Sequence, residues 1–337
     1  MRLRTSVRTS VRSAVLMLVT AALLVPALTL TTLRLWQPGW GPAVWAVAFT
    51  PYALPMYAVA LALLVGYAVR TRRAASWVAV AAVLGLLALH ASWLAPQLVG
   101  DRPTAAADAT PVRVLTANVW HGQVGGGRVV RAGRVEEADV LVLEEVRPKE
   151  LGVMDNFGIA DTWPYRAGTT SVELSGTMVF SRYPLRDIEQ LPTRLGCWRV
   201  TVDTPDGPWR LLAVHASSPV DPTAWADDHA TILTAAGEAD LVVGDLNATA
   251  DHRPLQRLAD AGFRDAAEMT NAGWQPTWPR TGAYRLLGLP VPPLVQIDHV
   301  LLRPGLVATR TETVVLDGSD HLGVVADVAT AANAGSG

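Results

Sequence analysis

The chain has 337 residues and one cysteine, Cys197. With no second thiol, no intrachain disulfide forms and no cysteine-based zinc site can be built. Cys197, beside Trp198, reads as a small strand residue and says little about redox compartment. Lysine is equally scarce, with Lys149 standing alone among arginines. The first hundred residues contain no Asp, Glu or Lys, and their eight arginines sit at 2, 4, 8, 12, 34, 70, 72 and 73. All 30 acidic residues therefore follow residue 100, where only twenty basic ones face them. The overall charge of −2 conceals an N-terminal part at +8 and a remainder at −10. No internal repeat stands out.

What is present in excess is apolar surface. The hydrophobic fraction is 50 % and the mean hydropathy +0.25. Three runs carry most of it: residues 14–33, which include Pro26; 43–69, with Pro51 and Pro55; and 75–98, with His90. Each reaches the ~20 residues a helix needs to cross the hydrocarbon core. Backbone groups in lipid must bond within the segment, so all three read as helices, the prolines predicting kinks in the second. His90 is placed to face a polar partner in such a bundle. Arg2, Arg4, Arg8 and Arg12 precede the first run, Arg70, Arg72 and Arg73 separate the second from the third, and the intervening loop holds only Arg34. The excess of arginine on one side places the N-terminus in the cytoplasm and everything beyond residue 98 outside the cytoplasmic membrane. A cleaved signal peptide accounts for the first run only. The expected organisation is a three-helix membrane domain over 1–98, a small, polar, proline-flanked linker over 99–111, and a second domain over 112–330.

That second domain alternates short β-branched runs with amphipathic stretches and turns, a mixed α/β pattern. Strands are expected at 112–117, 139–143, 176–182, 197–202, 209–214, 240–244, 300–302, 313–316 and 322–326. Helical spacing covers 128–138, and 221–236 begins with Asp221 as N-cap and Pro222 behind it. The run Gly125-Gly126-Gly127 lacks the spacing and lysine of a phosphate-binding loop.

The strands end on polar residues. Asn118 closes the first, Glu144-Glu145 the second, and His215 follows 209–214. Asp245 and Asn247 follow 240–244 at positions that point the same way in extended chain. Asp298 opens 300–302, and Asp320-His321 lies between the last two strands. Singly, each has an ordinary reading: turn residue, solvated carboxylate or surface histidine. Together they supply oxygen ligands for a hard divalent cation, a base, an amide that can orient water and two imidazoles. Acid-rich and cysteine-poor, the set favours Mg²⁺ or Mn²⁺.

These residues fall into seven short motifs in order: Leu115-Thr116-Ala117-Asn118-Val119, Leu143-Glu144-Glu145-Val146, Ser181-Arg182-Tyr183-Pro184-Leu185, Val214-His215, Gly244-Asp245-Leu246-Asn247-Ala248, Ile297-Asp298-His299-Val300 and Ser319-Asp320-His321. In that order they resemble the endonuclease/exonuclease/phosphatase (DNase I-like) superfamily across residues 112–328. The resemblance implies a four-layer α/β sandwich with its site at one edge of two central sheets. It implies Glu145 as principal metal ligand with Asn118 and Asp320 nearby. Asp245, helped by Asn247, would activate water. His321, paired with Asp298, would stabilise the phosphoryl oxygens, and His215 would act at the same centre. Glu144 stands where the family usually has Gln, which would add a negative charge; Leu246 and Gly323 are further departures.

A domain at −10 with one lysine lacks the basic stripe from which nucleic-acid binding draws its affinity. The membrane runs bring a bilayer within reach, and the arrangement resembles three-span actinobacterial membrane proteins of the VanJ type, associated with teicoplanin resistance. The expected activity is metal-dependent hydrolysis of a membrane lipid phosphate such as a polyprenyl pyrophosphate. A membrane-tethered extracellular nuclease is the alternative, and a binding domain with a decayed site is a third. Trp274, Trp278 and the stretch 280–295, with Leu286, Leu287, Leu289 and Val291, are suited to border the site or touch a bilayer.

Overall fold

A computed structural model describes residues 2–332, with side chains from residue 14 onward. The chain divides into two compact units, Met1–Ala95 and Pro96–Gly337. The first contains α1 (Arg2–Trp36), α2 (Gly41–Val47), a 3-10 turn (Thr50–Tyr52), α3 (Ala53–Thr71) and α4 (Ala74–Leu94). Three stretches, Ala14–Trp36, Thr50–Thr71 and Ala74–Leu94, are long and apolar enough to cross a membrane. The apolar run at 43–69 is thus not one helix. Proline disfavours the helical conformation in the residue before it, so Pro51 falls in a separate turn and α3 starts afresh at Ala53. The third run stops at Leu94, ahead of Pro96, rather than reaching 98.

Ala27, Ala53, Tyr57 and Val83 form the packed centre of this unit. Beside them Thr31 Oγ donates to Ala27 O, and lies 2.7 Å from the Tyr57 hydroxyl and 2.9 Å from His90 Nε2. His90 therefore does find polar partners, and this three-helix contact is of the kind that holds apolar helices together.

The second unit opens with α5 (Pro96–Val99). Its strands are β1 (Val112–Asn118), β2 (Val140–Glu144), β3 (Tyr165–Thr169), β4 (Thr177–Ser181), β5 (Leu185–Gln190), β6 (Trp198–Thr204), β7 (Gly207–His215), β8 (Leu241–Asp245), β9 (Arg264–Asp265), β10 (Arg285–Leu286), β11 (Leu289–Pro290), β12 (Asp298–Leu302), β13 (Leu306–Val315) and β14 (Leu322–Thr330). Its further helices are α6 (Gly126–Val135), α7 (Pro148–Asn156), α8 (Ile159–Thr162), α9 (Pro222–Ala236), α10 (Arg253–Asp260) and α11 (Ala266–Thr270). Two six-stranded sheets result, in the orders β13-β14-β1-β2-β4-β3 and β5-β6-β7-β8-β12-β9. The expected mixed α/β sandwich is what forms.

Its layers follow from the two-residue period of the strands. Val112 and Val114 of β1, Val140 and Val142 of β2, Leu211 and Ala213 of β7, Val243 of β8, and Val300 and Leu302 of β12 fill the space between the sheets. The alternate residues Leu115, Ala117, Leu141 and Leu143 face outward against Val129, Val130, Met154 and Ile159 of α6, α7 and α8. On the far side of the second sheet, α9 packs on β7 and α10 on α9. Asp221 caps α9 by accepting from Ala224 N at 3.1 Å, with Pro222 next to it.

The stretch expected to be a linker is bound along the domain. Asn271 Nδ2 donates to Gly100 O and Arg264 to Asp101 O, while Ala106 N donates to Thr330 O. Small side chains let it lie against β14, where Ala105 bridges Ala331.

One glycine is required by close packing. Gly244 has φ 141°, and a Cβ there would lie 1.9 Å from Val214 O on the paired strand β7. Gly244→Ala is expected to cost ~3 kcal/mol or more, through strain and overpacking. That corresponds to a fall of roughly 6–12 °C in the melting temperature of this unit. Gly152→Ala, on α7 with nothing near its Cβ position, should leave melting unchanged or slightly raised.

Candidate active site

The alternation that buries valines between the sheets also aims the strand ends. Asn118 continues the parity of Val112 and Val114, His215 that of Leu211 and Ala213, and Asp245 that of Leu241 and Val243. Asp298 shares the parity of Val300 and Leu302. All four side chains therefore enter the space between the sheets at its open end. Register brings them together: His215 and Asp298 both pair with Asp245 across the second sheet, and Asn118 pairs with Glu144 across the first. Strand β14 runs antiparallel to β1, so the residues before Leu322 lie where β1 ends. Ser319 fastens that loop: its hydroxyl donates to Asn118 O at 2.7 Å and accepts from His321 N at 2.9 Å.

Consecutive residues of an extended strand would point Glu144 and Glu145 to opposite faces. Glu145 instead has φ 61°, in the left-handed region, which turns its carboxylate back to the site. A non-glycine residue held there costs of order 1–3 kcal/mol, and such strain gathers at functional sites. Asn118 Nδ2 then donates to Glu145 Oε1 at 3.0 Å and to Asp245 Oδ2 at 3.1 Å, while its Oδ1 accepts from Trp120 N. The amide thus meets both carboxylates with its donor end. Asn247 is fixed by its Nδ2 on Ala216 O, and its backbone N–H binds Asp245 Oδ1, each at 2.9 Å. His321 Nδ1 is 2.9 Å from Asp298 Oδ2, and its Nε2 faces Asp245 at 3.9 Å and Asp320 at 4.0 Å. His215 Nε2 is 3.9 Å from Glu145 and 3.8 Å from Asp245, too far for a hydrogen bond. All eight residues expected at the site therefore converge.

The electrostatics are those of a crowded acid cluster. Burial raises the Asp245 carboxyl to about 6, with Asp298 adding to the effect and His321 and His215 opposing it. Burial works against a charge on His321, but Asp298 and Asp245 outweigh it and hold the imidazole up to about 10. Glu144 is fully buried; burial first, then Asp298 and Asp245, push it well above the carboxylate range, against the Thr116 hydroxyl and His321. Burial thus works against the extra negative charge expected at Glu144, whose Oε1 accepts from Thr116 Oγ at 3.0 Å.

Four buried oxygens of this set have no partner among the described residues: Glu144 Oε2, Glu145 Oε2, Asp298 Oδ1 and Asp320 Oδ1. Buried carboxylates are retained only when paired or metal-bound. Asp245, Asp298 and His321 offer ligand atoms within 4.8 Å of one another. The open carboxylate oxygens of Glu145 and Asp320 are further donors, and an oxygen-rich set fits a hard divalent ion.

Some contributors were not expected. Tyr284 is one: its hydroxyl donates to Asp320 Oδ2 at 3.0 Å, beside Trp278 Nε1 at 3.1 Å. Trp278 was among the aromatics expected near the site, whereas a lone tyrosine in a loop gave no signal. Thr277 is another, its hydroxyl accepting from the backbone N–H groups of Ile297 and Asp298. His299 belongs elsewhere: one residue out of step with Asp298, it turns away to Asp265 at 2.6 Å and to Ala248 O.

A family model described as Endonuclease/Exonuclease/phosphatase family matches residues 115–321. The chain belongs to that family. It is therefore a phosphoester hydrolase, of a family that generally uses a divalent metal. No curated protein matches the chain in sequence. Solved structures share the fold. An endonuclease/exonuclease/phosphatase from Beutenbergia cavernae is 22 % identical, with TM-score 0.52, over 65 % of this chain and 72 % of its own. D. rerio TDP2 complexed with single strand DNA product is 16 % identical, with TM-score 0.54, over 65 % and 99 %. An endonuclease/exonuclease/phosphatase from Bacteroides vulgatus is 17 % identical, with TM-score 0.52, over 65 % and 98 %.

If Glu145 and Asp320 hold a cation, saturating Mg²⁺ should raise the melting temperature by about 5–10 °C over the protein in EDTA, as a ligand at ~100 times its Kd does for a domain of this size. Glu145→Gln and Asp320→Asn should each abolish that rise. A full Mg²⁺ response in both variants would place the ion elsewhere.

Proposed function

We propose that the second unit is a Mg²⁺-dependent phosphohydrolase, with Mn²⁺ as substitute, acting outside the cytoplasmic membrane on a lipid phosphate such as a polyprenyl pyrophosphate. The observation that carries the chemistry is the pair of buried carboxylate oxygens without partners, on Glu145 and Asp320, in the cluster where Asp298 anchors His321. Bound cation would lend positive charge to the phosphoryl oxygens. Asp245 takes a proton from water as the water oxygen attacks phosphorus, with Asn247 and Asn118 holding the carboxylate in place. His321 meets the negative charge that grows on the phosphoryl group. The bond from phosphorus to the leaving oxygen breaks, and His215, buried and without a hydrogen-bond partner on Nδ1, is placed to bind a phosphoryl oxygen or to protonate the leaving group.

Two features support a lipid over a nucleic acid. The part of the chain after residue 100 carries −10 and one lysine, which repels a polyanion outside the metal site. Three stretches able to span a bilayer occupy the same chain, with the arginine asymmetry favouring a cytoplasmic N-terminus. The likeness to VanJ-type three-span proteins fits a lipid of the cell-wall cycle. Cysteine at exposed Glu238 should then react with an impermeant maleimide on intact cells, and cysteine at Arg72 should not.

Full-length protein in detergent with Mg²⁺ should release phosphate from a polyprenyl pyrophosphate, and EDTA should stop it. Asp245→Asn should reduce the rate about 10³-fold, as expected for loss of a general base. Efficient nicking of supercoiled plasmid without lipid hydrolysis would reverse the assignment to a nuclease. The pH profile of kcat/KM should be a bell. Asp245 is a base only when ionised, so activity rises as pH passes about 6. His321 is useful only as a cation, so activity falls as pH passes about 10. Asp298→Asn removes the charge that holds the proton on His321 and should lower the upper limb by about two pH units or more.

A further inference from the structure

The loop that carries Tyr284 ends in a tip unlike the rest of the surface. Strands β10 and β11 pair antiparallel, Leu286 opposite Leu289, around the turn Leu287-Gly288. Leu286, Leu287 and Leu289 are 69 %, 95 % and 71 % exposed, and Leu287 is the most exposed large apolar residue described. Both turn residues have positive φ, 51° at Leu287 and 83° at Gly288. Such two-residue turns favour Asn-Gly, and a leucine in the left-handed region is disfavoured by its Cβ. Nothing within the fold requires leucine there, since its side chain touches almost nothing. The hairpin thus accepts a conformational penalty to display an apolar side chain to the outside.

Its base, by contrast, is held rigidly at the site. The Tyr284 hydroxyl and Trp278 Nε1 both end on Asp320, Arg280 Nε donates to Ser319 O at 2.7 Å, and Val291 N donates to Tyr284 O at 3.0 Å. The tip and the open oxygen of Asp320 therefore belong to one continuous element.

We propose that this hairpin is a bilayer-docking element, inserting Leu286, Leu287 and Leu289 among the acyl chains of the membrane that the same polypeptide spans and so presenting a lipid headgroup to the site. The occupant is argued from two features. Arg285, whose guanidinium donates to Gly288 O, sets a cation beside the leucines, and Tyr284 follows the aromatic preference of the membrane interface. The chain itself supplies the bilayer, since only Ala95 separates α4 from α5 of the second unit. This docking deepens the assignment as a lipid phosphohydrolase and rests on it for its purpose.

The test uses the full chain in lipid nanodiscs. Cys197 is fully buried and is the single native cysteine, so Leu287→Cys can be labelled alone with the polarity-sensitive dye NBD. Docking predicts a blue-shifted emission and at least twofold quenching by doxyl-labelled phosphatidylcholine. The same dye at Glu238→Cys, before β8 at the edge opposite the site, should show neither. Equal response at the two positions overturns docking, and so does no quenching at 287. In parallel, Leu286→Ser/Leu287→Ser/Leu289→Ser should raise KM for lipid pyrophosphate in vesicles at least tenfold while leaving kcat/KM for soluble bis(p-nitrophenyl) phosphate unchanged. Wild-type rates on both substrates in the triple variant overturn the docking and leave the lipid assignment standing. A wild-type protein that cleaves the soluble diester but no lipid overturns the lipid assignment, while quenching at 287 still decides docking.

Discussion

Five carboxyl groups, on Glu144, Glu145, Asp245, Asp298 and Asp320, lose their water at the open end of one core. Charge desolvation on that scale is among the largest unfavourable terms a fold can carry. Much around it answers that term. Burial and the neighbouring acids favour the protonated form of Glu144, Asp298 and Asp245 favour the charged form of His321, Asn118 bridges two of the acids with one amide group, and Tyr284 and Trp278 share an oxygen of a third. What remains is a set of open oxygens that a divalent cation would satisfy.

That cluster depends on backbone geometry more than on side-chain packing. Strands β7 and β8 must pair closely enough for His215 and Asp245 to end side by side, and Gly244 permits that pairing where any side chain would strike Val214 O. Glu145 must leave the strand in a left-handed conformation for two successive acids to reach the same space. Ser319 must tie the loop before β14 to the end of β1. Each is a small local cost set against the gain of burying the valine layer between the sheets, and the layer continues directly into the site.

The same logic separates the chain's two kinds of exposed apolar surface. The helices of the first unit are apolar around most of their circumference, as lipid requires, and keep their few polar groups for contacts such as Thr31 with Tyr57 and His90. The second unit hides most of its apolar residues in two layers, and the most exposed of its described large apolar residues, Leu287, sits at the β10–β11 tip.

Much of this was legible from residue order. A period of two marked the strands, Asp221-Pro222 marked the start of α9, and the confinement of all acids to residues beyond 100 marked two different polymers. The site residues were legible because polar groups at the ends of apolar strands have little reason to be there unless something binds them. Register, through-space pairing and solvation were not. Nothing local says that Asp298 faces Asp245 while His299 faces away, that Tyr284 reaches Asp320, or that residues 100–106 are bound rather than free. Nor does composition reveal that the Glu144 carboxyl is pushed upward, because the cause is burial together with neighbours as far off in the chain as Asp298. Sequence determined the chemistry available at each strand end, through side-chain identity and period. Tertiary structure decided which of those groups share one desolvated space, because only register and sheet-on-sheet packing bring distant residues within reach of each other's charge.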